Sequence, residues 1–377
     1  MLFCGGIGAS IMYWGCIEWA YYYLDPPFQL APGSEEAIRW AATYGIFHWG
    51  PIAWSIYLVP ALPIAYFFYV RKQPALKVSS ALMPVIGEAR SNGWTGKLVD
   101  ILFIFGLLGG GATTLGLAAP LITEGIHHLF GIPRNTLVQV LVLLACTVLF
   151  GYSAYMGMEK GIKVLSNINF WGAMGLLAFI LLAGPTIFML ETGLDSLGRM
   201  LSNFFVMATW AEPFGGYGSF KNTHFPQDWT IFYWAWWLVF APSMGLFVAR
   251  ISRGRTIKQM VVGSIFFGSM GCFLFFMILG NYGLSLQLSG KLDIVGMLQT
   301  DGAYQAIFAI LDQLPFSSVV IAAFTTLCLI FTATTFDSIS YILASVVQNN
   351  VTEEPMRWNR LFWAFTLSIM PSILLFM

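Results

Sequence analysis

Charge is what this sequence has least of: 10% of its 377 residues are Asp, Glu, Lys or Arg, against roughly 25% in a soluble domain. So little charge excludes water as the main solvent of the chain. Basic and acidic residues balance at 18 each, so there is no net field to attract nucleic acid or an acidic partner. The 4 histidines, His48, His127, His128 and His224, do not fall at metal-ligand spacing. The 5 cysteines, Cys4, Cys16 and Cys146 among them, are scattered through apolar stretches without a CxxC pair. They read as small hydrophobic packers, with neither a disulfide nor a metal site implied. No Ser, Cys or His constellation with a base within reach can be drawn, so an enzyme is not expected and neither is an organic cofactor.

What fills the sequence instead is long apolar runs. Nine can be marked, at about 2–24, 43–70, 98–130, 135–157, 164–190, 229–250, 260–287, 316–348 and 358–377. About 20 apolar residues cross a hydrocarbon core of about 30 Å as a helix. Barrel strands are short and alternate in polarity, so these runs predict an all-α membrane protein, a multi-span helical bundle. The chain opens on MLFCGGIG and stops inside an apolar run at Leu374-Leu375-Phe376-Met377, which suggests part of something longer. The start lacks the basic leader and cleavage site of a signal peptide. Arg71, Lys72, Lys77, Arg90 and Lys97 crowd one connection, Lys160 and Lys163 another, and Arg250, Arg253, Arg255 and Lys258 a third. These alternate with connections carrying Asp25, Glu35, Glu36, Glu191 and Asp195, and should be cytoplasmic. Between the fifth and sixth runs, Leu194, Leu197, Met200, Leu201 and Phe204 sit at helical spacing. They predict an interfacial amphipathic helix ahead of a loop holding Gly215, Gly216 and Gly218.

Four places carry chemistry. Gly5-Gly6-Ile7-Gly8-Ala9-Ser10 in the first run should weaken helical geometry near mid-membrane. Such a break is tolerated where it faces protein or a wet cavity, and transporters use its freed backbone groups to hold ions and solutes. Close helix packing through small residues is the alternative, and it is preferred for the similar run Gly109-Gly110-Gly111-Ala112-Thr113-Thr114. In the sixth run rings crowd residues 229–240, and Trp229, Phe232, Trp236 and Phe240 fall near one helical face. A quaternary ammonium cannot donate a hydrogen bond, so ring faces are the selective way to hold it, at about 2 kcal/mol per desolvated contact. An interfacial aromatic belt is the alternative for Trp229, whereas Trp236 and Trp237 lie about 10 Å deeper at helical rise. The second run adds Trp49, Trp54 and Tyr57 beside Pro51. The eighth run holds Thr332, Thr334, Thr335, Asp337, Ser338 and Ser340, which suggests oxygen ligands for a monovalent cation, unless the hydroxyls bond their own helix. Glu18 and Glu124, near the outer ends of their runs, read as structural partners.

Phe232-Tyr233-Trp234-Ala235-Trp236-Trp237, followed by Ala249-Arg250-Ile251-Ser252-Arg253-Gly254-Arg255-Thr256, resembles the signature segment of the betaine/choline/carnitine transporter family. Phe47-His48-Trp49 with Trp54 and Tyr57, and Lys160-Gly161-Ile162-Lys163, resemble it too, and the similarity runs along essentially the whole chain. The resemblance implies a twelve-span fold whose core is two five-helix inverted repeats, as in sodium-coupled amino-acid transporters. Residues 1–190 would be the first repeat, 191–228 the interfacial helix and outer loop, and 229–377 four of the five spans of the second. The chain would then cover spans three to eleven, incomplete at both ends.

By the same resemblance, Trp236 and Trp237 belong to a central aromatic box, with Phe240 where some members have Trp or Tyr. Trp49, Trp54 and Tyr57 line the substrate path, Trp229 an outer position, and Tyr21 and Met244 positions that line the site in carnitine carriers. A sodium site would use backbone carbonyls at Cys4 and Ile7 with the hydroxyls of Thr334 and Thr335. Sodium-independent carnitine exchangers carry an arginine where Asn169 aligns, which favours a sodium symporter over such an antiporter. The glycine-rich break ends in Ser10, where betaine carriers tend to have Gly and choline carriers Asp. A neutral donor suits a carboxylated zwitterion, so glycine betaine or carnitine ranks above choline. A sulfonium analogue such as dimethylsulfoniopropionate is a further candidate, and an osmosensor or channel-like protein a rival of another class. A homotrimer in a bacterial inner membrane, contacting lipid and a small quaternary ammonium solute but no nucleic acid, completes the expectation.

Overall fold

The computed structural model describes residues 8–72, 77–348 and 354–374. Every regular element among them is a helix. The principal ones are α1 (Ser10–Leu24), α2 (Glu35–His48), α3 (Pro51–Ala65), α4 (Trp94–Phe130), α5 (Thr136–Met156), α6 (Lys163–Ala183), α7 (Thr186–Ser202), α8 (Phe232–Ile251), α9 (Ile257–Phe275), α10 (Ser317–Val346) and α11 (Arg357–Leu374). Among the described residues, 7 helical stretches are long and apolar enough to cross a membrane. They correspond to the second through eighth apolar runs. The first run contributes the 15 residues of α1, and the last contributes α11, 18 residues that carry Arg357 and Arg360.

Local chemistry explains the boundaries. Ser34 caps α2, its hydroxyl accepting from the Ala37 amide, with Glu35 and Glu36 set against the positive end of the helix dipole. Thr256 and Gln259 form a reciprocal capping box at α9. Between α2 and α3 the chain turns at Trp49-Gly50, where a Cβ on Gly50 would lie 2.3 Å from the Ile46 carbonyl oxygen. Pro51 then opens α3 without an amide to leave unsatisfied. The fifth run ends earlier than its composition implies. Gly184-Pro185 stops α6 at Ala183, so the amphipathic helix α7 starts at Thr186 and not beyond Glu191. Its inner face is Met189, Gly193, Ser196 and Met200, whereas Leu194 and Leu201 point outward.

Two charged bridges fasten α7 to α2. Arg39 donates to Asp195 through Nη2 and Nε at 2.6 and 3.1 Å, and Arg199 grips Glu36 through Nη1 and Nη2. The Arg39 hydrogen bond keeps the Asp195 carboxyl below the usual carboxylate range. At the other end of the bundle, the Tyr69 hydroxyl donates to the Arg250 carbonyl at 3.3 Å and the Arg250 guanidinium lies 5.9 Å from the Phe68 ring. The basic connections after α3 and α8 therefore meet at one end, as the alternation of charge requires.

The most extensive packing is of α3 along α8 and of α10 against α4, α5, α6 and α11, with α4 also meeting α8. Small residues permit the first: a Cβ on Gly245 of α8 would stand 2.9 Å from Pro60 Cγ and 3.0 Å from the Ala61 amide nitrogen of α3. Gly245→Val should therefore cost about 1–3 kcal/mol by overpacking. The check is the thermal midpoint of the protein in detergent, which should fall; an unchanged midpoint would contradict this close approach.

Candidate functional site

Rings from α3, α8 and the turn between α2 and α3 converge in the interior. Trp237 is their centre, buried, with its ring centroid 4.9 Å from Trp49 and 5.9 Å from Tyr57, at interplanar angles of 75° and 87°. Edge-to-face pairs of this kind set the positive rim of one ring on the negative face of another. On its flank Trp236 stacks at 5.5 Å with the planes 3° apart. Trp236 is half-buried and also borders an apolar groove of about 630 Å³ floored by Gly106, Gly109 and Gly110 of α4, with Trp14 of α1 on the rim. Trp54 meets Tyr57 at 5.8 Å and covers Gly268 of α9, where a Cβ would come within 2.2 Å of the indole.

The face that α8 turns inward differs from the expected one. Trp229, Tyr233 and Trp237 form the inner column, Tyr233 lying near-parallel to Trp229, Trp236 and Trp237 at 28°, 19° and 16°. Phe232 is 45% exposed, and its ring pairs among the described residues are with Tyr233 and Trp236. The helix begins with a π-helical turn over Pro226–Ile231, and the extra residue in that turn rotates Trp229 relative to an α-helical projection. Phe240 is buried but makes no ring pair among the described residues; its ring lies about 3.0 Å from where a Gly110 Cβ would stand. Met244 is buried one turn further on. Tyr21 joins the outer end, 5.4 Å from Trp229 and 6.0 Å from Trp14.

Behind the rings lies a polar network that the linear reading divided into separate residues. Glu18, fully buried on α1, accepts from Tyr22 at 2.5 Å, from the Trp49 indole at 2.9 Å and from Tyr233 at 2.6 Å. Tyr22 is also 3.0 Å from His48 Nδ1, and His48 Nε2 is 3.1 Å from the Thr230 hydroxyl. The Trp237 indole donates to the His48 carbonyl at 3.0 Å. One carboxylate thus ties α1 to the α2–α3 turn and to α8. Tyr22 and Tyr233 were visible as Tyr at i+4 from Glu18 and from Trp229, spacings that set them on the same helical face. Glu124, by contrast, pairs with Arg134 at 2.7 Å, a structural contact at the end of α4.

The predicted ion position is partly described. Cys4 and Ile7 lie outside the described residues. Gly8 adopts a left-handed φ of 59°, ahead of the helix that starts at Ser10, and a Cβ there would stand 2.4 Å from Thr335 Oγ1. Gly8, the first described residue of that run, therefore abuts α10 at the expected hydroxyl. The Thr334 hydroxyl donates back to Ile330 at 2.6 Å and Thr335 to Phe331 at 3.0 Å, the self-bonding alternative. Asn169 of α6 donates its amide to Thr334 Oγ1 at 3.0 Å. Asp337 is buried two residues beyond Thr335 and takes a hydrogen bond from Ser153 of α5. Ser10 is buried, and its hydroxyl has no partner among the described residues.

Long apolar helices enclosing a buried ring cluster and a buried carboxylate define a multi-pass integral membrane protein built round an interior polar and aromatic site. Residues 1–377 match the betaine/carnitine/choline family of transporters over their whole length. Two relatives align over all of this chain: the uncharacterized transporter YeaV of Escherichia coli, 35% identical with 77% of its own length covered, and a carnitine transporter of Acinetobacter baumannii, 34% identical with 68% covered. The chain belongs to the betaine/carnitine/choline transporter family. Its work is transport and not enzymatic turnover.

The contact at Gly8 can be tested by substitution. Gly8→Ala meets both the left-handed backbone and the Thr335 hydroxyl, and should lower the thermal midpoint by an amount equivalent to about 1–3 kcal/mol. Adding Thr335→Ala removes the collision but not the backbone penalty, so partial recovery is expected. Full stability of the single variant would show that the break and α10 do not touch.

Proposed function

We propose that the protein takes up a trimethylammonium solute, glycine betaine or carnitine before choline, by alternating access between two inverted repeats, residues 1–190 and 229–377, coupled to sodium. The observation that carries this reading is Trp237, a buried ring already in edge-to-face contact with Trp49 and Tyr57 and stacked on Trp236. T-shaped pairs set the positive rim of one ring against the face of another, the same electrostatic contact that an ammonium offers more strongly. A methylated ammonium has no proton to donate, so a polar pocket would leave its own groups unpaired, whereas rings lose little by releasing each other to enclose it. Ser10 supports a carboxylated solute, since its buried hydroxyl is free to donate to a carboxylate. The relative named as a carnitine transporter is in keeping with this class.

Three observations favour sodium. Gly8 stands against Thr335, Asn169 bonds Thr334, and the buried Asn169 carboxamide oxygen has no partner among the described residues. A neutral amide with a spare oxygen suits a bound cation, where an arginine would take the cation's place. In this reading Thr334 and Thr335 supply hydroxyl oxygens and residues 4 and 7 carbonyls. Ordering of the break on sodium binding would then assist the solute site by reciprocal linkage. A trimer of such carriers in the inner membrane is the assembly this reading implies.

Trp237→Leu should reduce uptake of labelled betaine or carnitine into proteoliposomes to background while the protein still inserts. Uptake at the normal rate would remove the ring cluster from the mechanism. Uptake should also require a sodium gradient, and Thr334→Ala should raise the sodium concentration for half-maximal uptake by roughly ten-fold, the loss of one oxygen ligand being worth about 1–2 kcal/mol. Full exchange in sodium-free vesicles would replace the symport by antiport and leave the ring cluster standing.

A further inference from the structure

Glu18 has no cation to balance it. Among the described residues no lysine or arginine pairs with it, and the ionisable group nearest to it in an ion-pair sense is His48 at 4.0 Å. Hydrogen-bond directions constrain that imidazole. Tyr22 gives its only proton to Glu18, so His48 Nδ1 donates to the Tyr22 oxygen, and the Thr230 hydroxyl, 3.1 Å from Nε2, can donate to it and leave the ring neutral. Three donors converge on the carboxylate, at 2.5, 2.6 and 2.9 Å, the separations of hydrogen bonds to a charged acceptor. The arrangement is that of an anion held by dipoles and left without a counter-ion, an expensive thing to keep inside an apolar bundle.

Two of the three donors are members of the ring cluster. Trp49 meets Trp237 at 4.9 Å and Trp236 at 6.1 Å, and Tyr233 stacks over both tryptophans. A carboxylate bonded to an indole N–H and a phenol O–H draws those protons toward itself and leaves both rings richer in electrons. Rings so polarised bind a cation more strongly on their faces.

We propose that Glu18 is the counter-charge of the transported cation: a fixed anion behind Trp49 and Tyr233 that makes positive charge, beyond methylated shape, a condition of entry. The proposal rests on the ammonium reading above and assigns Glu18 a positioning and specificity role without direct contact. Its consequence is selectivity. A solute of the same shape lacking the charge leaves the buried anion uncompensated, and is refused on electrostatic grounds even where it fits.

The test uses carnitine and its carbon isostere, in which a tert-butyl group replaces the trimethylammonium, so that the two differ by one positive charge at one place. Each competes against uptake of labelled carnitine in proteoliposomes, and the ratio of the two inhibition constants is the readout. The native protein should prefer carnitine strongly. In Glu18→Gln, which keeps shape and most hydrogen-bonding capacity, the ratio should fall by roughly ten-fold, the size expected of one unit charge a ring's length away in a medium of intermediate dielectric. The isostere's own constant should move by less than about three-fold. A purely structural Glu18 would weaken both competitors together and keep the ratio, which overturns the proposal while leaving the ring cluster in place. Equal binding of carnitine and isostere by the native protein would instead overturn the ammonium reading itself. If Glu18→Gln does not reach the membrane, Glu18→Asp takes its place: the charge persists, so the ratio should hold within about two-fold although both affinities fall. A collapse of the ratio with the charge still present would end the proposal.

Discussion

A carboxylate inside a membrane-embedded bundle must be met by donors or it will not remain charged, and that requirement organises this molecule. Glu18 is met by Tyr22 from its own helix, by Trp49 from the α2–α3 turn and by Tyr233 from α8. None of these elements can shift far alone without stranding an oxygen, at a cost of about 1–3 kcal/mol for each hydrogen bond lost to a charged group. The same bonds orient the rings. An indole N–H committed to Glu18 aims the Trp49 ring at Trp237, and a phenol committed to the same oxygen aligns Tyr233 with the tryptophan stack. Trp237 is held in turn by its donation to the His48 carbonyl. The ring cluster is therefore a consequence of a polar constraint as much as of apolar packing.

Fold class and most of the spans were legible because bilayer thickness is a blunt requirement that leaves long apolar runs in any sequence obeying it. Trp49, Tyr57 and Trp237 were legible for a related reason: rings deep in a span, where an interfacial belt has no use for them, need another explanation. The phase of α8 was legible in part. Projected as an α-helix from Trp229, the sequence puts Phe232, Tyr233, Trp236 and Phe240 near one face, and the structure buries Tyr233, Trp237 and Phe240 and leaves Phe232 45% exposed. The network was not legible. Glu18, Tyr22, His48 and Tyr233 lie on three segments, and each has an ordinary reading by itself; only tertiary structure makes them one unit. Thr334 and Thr335 were marked from composition, and family resemblance set Cys4 and Ile7 against them; those two lie outside the described residues, and it is the neighbouring Gly8 that stands against Thr335.

The helix α1 joins these two regions. Gly8 stands against Thr335, and Glu18, ten residues on, is bound into the ring cluster. At helical rise that separation is about 15 Å. The network commits α1 to the α2–α3 turn and α8, whereas α10 packs with α4, α5, α6 and α11. The two groups meet along α4, which packs on both α8 and α1, and at Gly8, which stands against Thr335 without a side chain to interlock. In the proposed symport, an ion near Gly8 and a solute near Trp237 would both act on α1, whose Glu18 is bound into the ring cluster.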